Sequence, residues 1–429
     1  MRVKLACGKT GAEITLPDHL DARVLEPRFA PSLADPAGAV REALEQPTAG
    51  PSLAQLARGK RSAAIAICDI TRPVPNRLML PLILDVLEAA GMGHDDIQIL
   101  VATGLHREAT PAELDEMIGP EVMARCRVDS HRARNLDEHV HTGRTASGTE
   151  VYTDKRFVDA EVGISLGFIE PHLMAGFSGG RKVVAIGLAG ERTIKRLHSP
   201  EFMRDAKAVE GSFPDNPLHR ELLQISAMAG HNFMVDVALN GSRQIAAVFT
   251  GTPAEAHTIG VEFVRKSTMA AMEERADLVI TTGAGYPLDL TFYQSVKGVT
   301  AAAHIVKPGG TILVISECNE GMGGPEFTEL VRTSPDSREM LQRLLERPVE
   351  VDQWQAEKLA VVAEHAKLAF CPRSLPAEDR KFLWGRSFAD PQEAVDALAA
   401  ELPAGATAVV IPEGPYVFAQ LEPREEVLV

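Results

Sequence analysis

The stretch SAAIAICDITRPVPNRLMLPLILDVLEAAG, residues 62–91, contains the local pattern that decides the fold. Ser62–Cys68 is an apolar run of strand length, and a polar turn follows it at 69–73. Leu78–Ala90 then places apolar side chains at helical spacing and stops at Gly91. A buried strand, a turn and a helix in this order are the repeating unit of parallel α/β sheets.

The same order of elements recurs along the chain. A strand predicted at Ile97–Thr103 precedes a helix that begins at Pro111 with Thr110 as its cap, and another strand is predicted at Val162–Gly167. Met1–Leu5 lacks the extended apolar core of a secretion signal. We expect this segment to form a first β-strand. We therefore expect an α/β protein with mostly parallel sheets.

A change of pattern predicts where one domain ends. Two β-rich runs within Val235–Thr250 flank Asn240-Gly241, a strong hairpin signal. Ala254–Ala276 then predicts one long helix, after which the strand–loop–helix order begins again. We expect two α/β domains, an N-terminal one of residues 1–268 and a C-terminal one of residues 269–429. The pattern leaves open whether the last residues pack back on the N-terminal domain.

Two further elements are predicted in the C-terminal domain. Asp289 can cap a helix that extends to about Val306 and ends at Pro308-Gly309-Gly310. Thr311–Ser316 is the next strand, and Thr407–Ile411 gives the last strand signal.

The composition excludes several classes of protein. With 45% apolar and 24% charged residues among 429, the chain has the make-up of a globular protein. No apolar run approaches the roughly 18 residues that a membrane span requires. Acidic residues outnumber basic ones by 59 to 44, and the net charge of −15 would repel nucleic acid. Because the five cysteines form no C-x-x-C pair, we expect neither a zinc ribbon nor a disulfide scaffold, and we expect a cytoplasmic protein.

Unusual polar residues follow four of the predicted strands, at the edge where open parallel sheets bind ligands. They occupy residues 69–73, 103–106, 170–172 and 283–287. Arg72 offers a fork for a carboxylate or phosphate, although a solvated arginine in a capping turn fits the same pattern. His106 and His172 each follow a strand, and histidine is suited to proton exchange near neutral pH. Each histidine alone also fits a structural role, whereas two at strand ends of one domain favour catalysis.

The segment Gly176-Phe177-Ser178-Gly179-Gly180-Arg181-Lys182 is the most specific local motif. It resembles a phosphate loop but is not a Walker A motif, which has four residues between its glycines and ends in Gly-Lys-Ser/Thr. Its small residues let the backbone approach a ligand, and Lys182 can neutralise a phosphate or form a covalent bond. A flexible, solvated turn is the alternative interpretation.

Three more positions bear on function. Gly283-x-Gly285 lacks the third glycine of the dinucleotide fingerprint, so NAD binding has weak support. Gln294 and Lys297 share a face near a helix N-terminus, where a carboxylate is favoured, although an exposed face is the common alternative. No second ligand stands close to His198, so a metal site made by protein alone is not predicted, but one histidine can complete a metal held by a cofactor.

Together these motifs resemble the nickel-dependent lactate racemases and their 2-hydroxy-acid racemase and epimerase relatives. The resemblance implies a two-domain α/β enzyme with its active site in the cleft between the domains. It extends over about residues 65–300, in family order, and rests on Asp69-Ile70-Thr71-Arg72-Pro73, Ala102–Arg107, Glu170–Lys182, His198, Gly285–Asp289 and Tyr293–Gly298.

The resemblance also implies a cofactor and a role for each site residue. The cofactor is a nickel-pincer nucleotide, Ni(II)-pyridinium-3,5-bisthiocarboxylate mononucleotide, attached covalently at Lys182, with His198 as the nickel ligand. His106 and His172 are the paired acid/base residues, and a hydride passes reversibly from the substrate to the cofactor. Further contacts with the cofactor are implied for Asp69, Ile70, Thr71, Arg72, Gln294 and Lys297, and contacts with the substrate for Arg72, Tyr293, Gln294, Lys297 and Trp354.

The sequence leaves the substrate and two other functions open. Leu173-Met174 follow His172 where the family pattern has bulkier aromatic residues, so lactate and a larger 2-hydroxy acid both remain candidates. The expected partners are a small anionic substrate and the machinery that makes the cofactor, with no nucleic acid or membrane. The alternatives are a non-catalytic nucleotide- or phosphate-binding protein and a nicotinamide-dependent 2-hydroxy-acid dehydrogenase.

Overall fold

A computed structural model describes residues 1–26 and 29–421. The strands assigned within this part of the chain are β1 (Arg2–Leu5), β2 (Ala12–Thr15), β3 (Asp21–Val24), β4 (Ala63–Cys68), β5 (Ile97–Ala102), β6 (Arg127–Ser130), β7 (His139–Arg144), β8 (Glu150–Asp154), β9 (Val162–Phe168), β10 (Pro171–His172), β11 (Gly176–Phe177), β12 (His231–Leu239), β13 (Ile245–Gly251), β14 (Met269–Met272), β15 (Ala276–Thr282), β16 (Val306–Ser316), β17 (Lys367–Pro372), β18 (Arg386–Ser387), β19 (Thr407–Val410) and β20 (Phe418–Leu421).

The α-helices of the same residues are α1 (Pro36–Glu45), α2 (Leu53–Ala57), α3 (Asn76–Ala89), α4 (Pro111–Met123, interrupted at Gly119), α5 (Lys155–Val158), α6 (Arg181–Ala185), α7 (Glu191–Leu197), α8 (Pro200–Met203), α9 (Pro217–Met228), α10 (Pro253–Thr268), α11 (Phe292–Ala303), α12 (Pro325–Thr333), α13 (Ser337–Arg343), α14 (Gln353–Ala363), α15 (Ala377–Arg380) and α16 (Pro391–Ala399). No helix in the described part of the chain is long and apolar enough to cross a membrane.

The chain divides into two compact units. The central unit consists of Phe29–Leu197 and Lys207–Lys266. The terminal unit consists of the described residues of Met1–Arg28, His198–Ala206 and Ser267–Val429. The sequence pattern suggested a single boundary at residue 268, whereas each of these units is assembled from segments distant in sequence.

The central unit contains a six-stranded sheet in the order β13-β12-β9-β4-β5-β6, parallel except for the antiparallel β12–β13 pair. Helices cover both faces: Ile65 packs in the core cluster that includes α3, whereas Ala64 packs in the cluster that includes α6. Burial on both faces explains why β4 and β9 are nearly continuous apolar runs. The carboxyl ends of β9, β4 and β5 consequently lie next to one another.

The terminal unit contains a second six-stranded sheet, all parallel, in the order β18-β17-β16-β15-β19-β3. Strand β3 pairs with β19 in register over residues 21–24 and 407–410, which is why the N-terminal residues belong to this unit. One core cluster includes α11, α12 and α14, and another includes β1, β2 and α16. The predicted fold class, two α/β units with mostly parallel sheets, is confirmed.

Several local predictions are also confirmed. Thr110 caps α4 in a capping box with Glu113, and β12 and β13 form the hairpin predicted at Asn240-Gly241. Strands occupy the predicted positions at 63–68, 97–102 and 162–168.

Three local predictions are wrong. The helix predicted to reach about Val306 and to end at Pro308-Gly309-Gly310 ends at Ala303, because strand β16 begins at Val306. The helix predicted at Ala254–Ala276 ends at Thr268, because Met269–Met272 forms β14 and pairs in parallel with β20. Asp289 does not cap the next helix, whose N-cap is Thr291. The Asp289 carboxylate instead accepts the backbone N–H groups of Gly8 at 2.7 Å and Glu317 at 3.0 Å.

The C-terminal residues are described as far as Leu421. Strand β20 pairs with β14 inside the terminal unit. The prediction about how the last residues pack falls partly on 422–429, which lie outside the described residues.

Candidate active site

Neighbouring strand ends of the central sheet bring three predicted site residues to one edge. Asp69 directly follows β4, His106 follows β5, and His172 lies in β10 shortly after β9. Because β9, β4 and β5 are adjacent and parallel, their carboxyl ends meet at the edge where such sheets bind ligands. Ile70, the residue after Asp69, packs its side chain against the apolar core of the unit.

Asp69 and His106 form a close pair. His106 Nδ1 lies 2.6 Å from Asp69 Oδ2, and the Asp69 carboxylate is 11% exposed whereas the His106 ring is 61% exposed. Burial by itself would raise the pKa of Asp69, but hydrogen bonds from His106 and Thr71 and the charge of Arg72 hold this pKa at about 2. The carboxylate is therefore ionised near neutral pH and fixes a proton on Nδ1, which leaves Nε2 of His106 as the proton acceptor.

Lys182 lies in the same electrostatic environment. Burial, and after it the positive charge of Arg72, lowers the pKa of its amine to about 8. Burial also raises the pKa of the nearby Cys68 thiol to about 12, so this cysteine stays protonated. A lysine with a depressed pKa has a larger neutral fraction and is a better nucleophile, which suits covalent attachment of a group.

His172 has a different arrangement from His106. It pairs with Gly176 in the short antiparallel β10–β11 ladder. Its Nδ1 accepts backbone N–H groups of Met174 at 3.4 Å and Ala175 at 3.2 Å, so the neutral ring carries its proton on Nε2. In a doubly protonated ring Nδ1–H is a donor, and it would face the N–H groups of these amides, which are also donors. Proton uptake by His172 therefore requires the ring to move away from them.

The glycine-rich segment before Lys182 is buried, which argues against a solvated turn. Arg181 is fully buried, and its guanidinium donates to the carbonyls of Ala175, Phe177, Ser178 and Gly179. It also donates to Nε2 of His257 at 2.6 Å; burial and the arginine charge keep the pKa of His257 well below its usual value, so this ring is neutral. The guanidinium thus holds the loop that carries Lys182.

Asp236 is a functional candidate that the sequence analysis missed. Its Oδ2 accepts the backbone N–H of Gly180 at 2.6 Å, and burial raises its pKa to about 7. Gly179 has φ +79°, and a Cβ there would lie 2.3 Å from this Oδ2. The available signal was one carboxylate within the otherwise apolar stretch 233–239 of β12.

His198 belongs to the terminal unit, although it directly follows α7 of the central unit. It is 9% exposed, and its ring packs on Trp354 of α14 with centroids 4.4 Å apart and an interplanar angle of 44°. The indole Nε1–H of Trp354 donates to the hydroxyl of Tyr293 at 3.2 Å. The structure therefore brings these three predicted site residues together in one unit.

Helix α11 carries the remaining predicted residues, Tyr293, Gln294 and Lys297. The backbone carbonyl of Tyr293 accepts the side-chain amide of Gln355 on α14, which fixes the two helices to each other. The amide oxygen Oε1 of Gln294 is buried and has no hydrogen-bond partner among the described residues. An orphaned acceptor of this kind suits a ligand that donates a hydrogen bond.

The residues fit the cofactor that the resemblance implies. In the central unit Lys182 supplies an amine of lowered pKa. In the terminal unit, taken by itself, Gln294 supplies an unsatisfied buried acceptor and His198 an imidazole packed in place. No group of three or more His, Cys, Asp or Glu side chains suited to a metal ion occurs in residues 1–26 and 29–421.

Two units built on mostly parallel sheets define a two-domain α/β protein. The model of the lactate racemase N-terminal domain matches residues 7–211, and that of the lactate racemase C-terminal domain matches residues 271–418. The chain belongs to the lactate racemase family. It is an isomerase of the racemase type.

Individual relatives agree with this assignment. The lactate racemase of Thermoanaerobacterium thermosaccharolyticum is 37% identical over 333 residues, 77% of this chain and 78% of the relative. That of Lactiplantibacillus plantarum is 35% identical over 335 residues, with the same shares of the two chains.

Solved structures extend the comparison to the fold. The structure of the lactate racemase apoprotein from Thermoanaerobacterium thermosaccharolyticum matches with a TM-score of 0.92 at 32% identity, covering 98% of this chain and 100% of that one. A Thermotoga maritima protein matches with a TM-score of 0.68 at 14% identity, covering 90% of this chain and 98% of that chain, and shares the fold.

Proposed function

We propose that this racemase interconverts the enantiomers of a small 2-hydroxy acid, lactate or a larger relative, with a nickel-pincer nucleotide attached at Lys182 and ligated by His198. The observation that carries the proposal is the amine of Lys182, whose pKa is lowered to about 8, in the electrostatic environment of Arg72 and the Asp69–His106 pair. The lactate racemase names of the relatives support the substrate class.

The cofactor supplies, when bound, an electron-poor acceptor for the hydride of the substrate α-carbon. The chain supplies the proton transfers. His106 accepts the substrate hydroxyl proton at Nε2, and the ionised Asp69 stabilises the imidazolium that forms. A racemase must exchange this proton for both enantiomers, and His172 is the second shuttle after its ring leaves the Met174 and Ala175 amides.

Binding of the substrate requires a positively charged side chain at its carboxylate. Arg72 provides a guanidinium fork beside Lys182, and Lys297 on α11 provides an ammonium group. A cation that binds the carboxylate orients the α-carbon and retains the keto acid between its two half-reactions. Asp69, Ile70, Thr71 and Gln294 are proposed to contact the cofactor, and Tyr293 and Trp354 the substrate.

The size of the substrate is proposed from the residues after His172. Leu173 and Met174 are both buried, at 7% and 5% exposure, and their side chains are flexible aliphatic groups. A pocket without a rigid aromatic wall at this position accommodates 2-hydroxybutyrate or a larger acid as well as lactate.

The partners and compartment are proposed on chemical grounds. The proposed cofactor makes the enzyme dependent on the machinery that synthesises it. All five cysteines are free thiols, which fits a reducing compartment such as the cytoplasm.

The proposed function is tested by racemisation assays on protein produced together with the cofactor-synthesis machinery. Chiral chromatography of D- and L-lactate, 2-hydroxybutyrate, malate and phenyllactate should show interconversion of at least one pair without net oxidation. The Lys182→Ala variant should lose this activity, whereas Lys155→Ala, on the short helix α5, should keep it. Full activity of Lys182→Ala, or net reduction of added NAD, would contradict the proposal.

A further inference from the structure

The segment His198–Ala206 is separated from its sequence neighbours, because it packs with the terminal unit while residues on both sides belong to the central unit. It contains His198 and the short helix α8. Its packing partner is α14, the helix that also carries Trp354. What holds this segment on α14 therefore also determines where the His198 imidazole lies.

An ion pair with a buried carboxylate and a partly buried guanidinium is the first anchor. Arg204 Nε lies 2.5 Å from Oε1 of Glu357, whose side chain is 0% exposed, and the same guanidinium donates to the carbonyl of Leu341. Ion pairs buried in this way are weak sources of stability, because the cost of desolvating both charges offsets their attraction. They nevertheless specify one arrangement, since a displaced partner would leave a charge buried and unpaired.

A lysine is the second anchor. The buried Lys358, adjacent to Glu357 on α14, donates from Nζ to the backbone carbonyl of Met203 at 2.7 Å. Met203 is the last residue of α8, so this contact satisfies a carbonyl at a helix end. Arg204 and Met203 are consecutive, and both are held by consecutive residues of α14.

The ring contact completes the arrangement. The His198 and Trp354 rings lie 4.4 Å apart, and Trp354 stands three residues before Glu357, about one helical turn. One face of α14 thus contacts the segment at the histidine and again five to six residues later.

We propose that Arg204, Glu357 and Lys358 are positioning residues that hold His198 in the orientation required to ligate nickel. This inference rests on the proposed function, because His198 is the nickel ligand only there. It assigns to α14 a role in retaining the metal in addition to the substrate contact of Trp354. None of the three residues has to touch metal or substrate for this role.

The first test uses apoenzyme and does not depend on the cofactor. Trp354 and Trp384 are the two tryptophans, so a Trp384→Phe background isolates the emission of Trp354. His198→Ala should change this emission by removing the ring contact. Glu357→Gln and Lys358→Met should shift it toward the His198→Ala value, and Lys358→Arg should restore it.

The matched control is Arg338→Gln. Arg338 pairs with Glu364 at 3.3 Å, at the opposite end of α14 from Trp354. Loss of this pair should therefore leave the emission of Trp354 unchanged. Emission in Glu357→Gln and Lys358→Met equal to that of the parent, with native circular dichroism, would overturn the proposal.

The second test measures nickel retention in enzyme made with the cofactor machinery. Loss of nickel to a chelator should be about 10-fold or more faster in Lys358→Met than in the parent, while the organic nucleotide stays attached at Lys182 to the same extent in both. In the His198→Ala background the Lys358→Met change should add nothing, because both act through one imidazole. Additive effects would overturn the inference. Parent enzyme without nickel would contradict the proposed function, and the emission of Trp354 would then decide the placement of His198 by itself.

Discussion

Asp69 Oδ2 lies 2.6 Å from Nδ1 of His106, so a buried carboxylate orients an exposed imidazole. The carboxylate fixes the tautomer and leaves Nε2 available to a substrate hydroxyl. His172, in contrast, directs Nδ1 at two backbone amides. The two histidines of the proposed reaction are therefore held in different ways, and their variants should behave differently.

Asp69→Asn should lower kcat by about 100-fold while changing KM little, because a neutral amide stabilises the imidazolium of His106 poorly. Steady-state racemisation rates with the loaded enzyme check this. Asp95→Asn is the control, since Asp95 makes a similar contact with His94, at 3.3 Å on the surface, and should leave the rate unchanged. Equal rates for Asp69→Asn and the parent would remove His106 from the proton transfer.

The pKa of Asp69 also predicts a pH dependence of stability. Its folded pKa of about 2 lies below the usual 3.8, so its interactions stabilise the fold above about pH 4, and this stability is lost as pH falls through 2. The shift corresponds to about 2 kcal/mol at neutral pH. Urea unfolding should show Asp69→Asn less stable than the parent by up to about this amount at pH 7, with a smaller difference at pH 3. A difference that is constant with pH would show that the carboxylate charge is not responsible.

His172→Asn and His172→Ala should separate structure from chemistry. The Asn oxygen can replace Nδ1 as acceptor of the Met174 and Ala175 amides, so this variant should keep parental stability, whereas His172→Ala should lose about 1 kcal/mol. Both should lose racemase activity by at least about 100-fold. Thermal unfolding and racemisation are the measurements. Activity in His172→Asn would exclude His172 as a proton shuttle.

Gly179→Ala should damage the loop that carries Lys182. Its new Cβ would lie 2.3 Å from the Asp236 carboxylate at φ +79°, and we expect a loss of about 3 kcal/mol of stability and poor cofactor loading. Gly230→Ala is matched, with φ +78° and nothing within 4 Å of its Cβ, and should cost about 1 kcal/mol. Similar losses in both variants would mean that backbone strain alone matters at residue 179.

Lys297→Met should raise KM for the 2-hydroxy acid about 10- to 100-fold, as expected for the loss of one charge-assisted contact with its carboxylate. Lys307→Met removes another lysine of the terminal unit, one paired with Asp277 at 2.8 Å, and should leave KM unchanged. An unchanged KM in Lys297→Met would place the carboxylate elsewhere.

Local sequence patterns predicted several strands, among them β4, β5 and β9, as well as the Thr110 cap and the hairpin, because these depend on residues close together in the chain. The end of α10 at Thr268 depends on Phe418–Leu421, almost 150 residues away, so no local pattern contains it. Asp289 has the sequence position of a cap, but its carboxylate binds the amide of Gly8. These differences arise from tertiary contacts.

The residues of the candidate site also fall into those that local sequence patterns predict and those that depend on tertiary contacts. Asp69, His106, His172 and Lys182 follow strands or a glycine-rich loop, which are local signals. Asp236 acts through Gly180, and Glu357 through Arg204, and each partner lies more than 50 residues away in the chain. A single sequence does not indicate which distant residues are in contact.

The central claim, that Lys182 carries the nickel cofactor, is tested most directly by peptide mass and metal analysis of protein made with the cofactor-synthesis machinery. We expect the peptide containing Lys182 to carry the mass of the nucleotide and the protein to contain close to one nickel per chain. Unmodified, nickel-free protein that still racemises a 2-hydroxy acid would contradict the account.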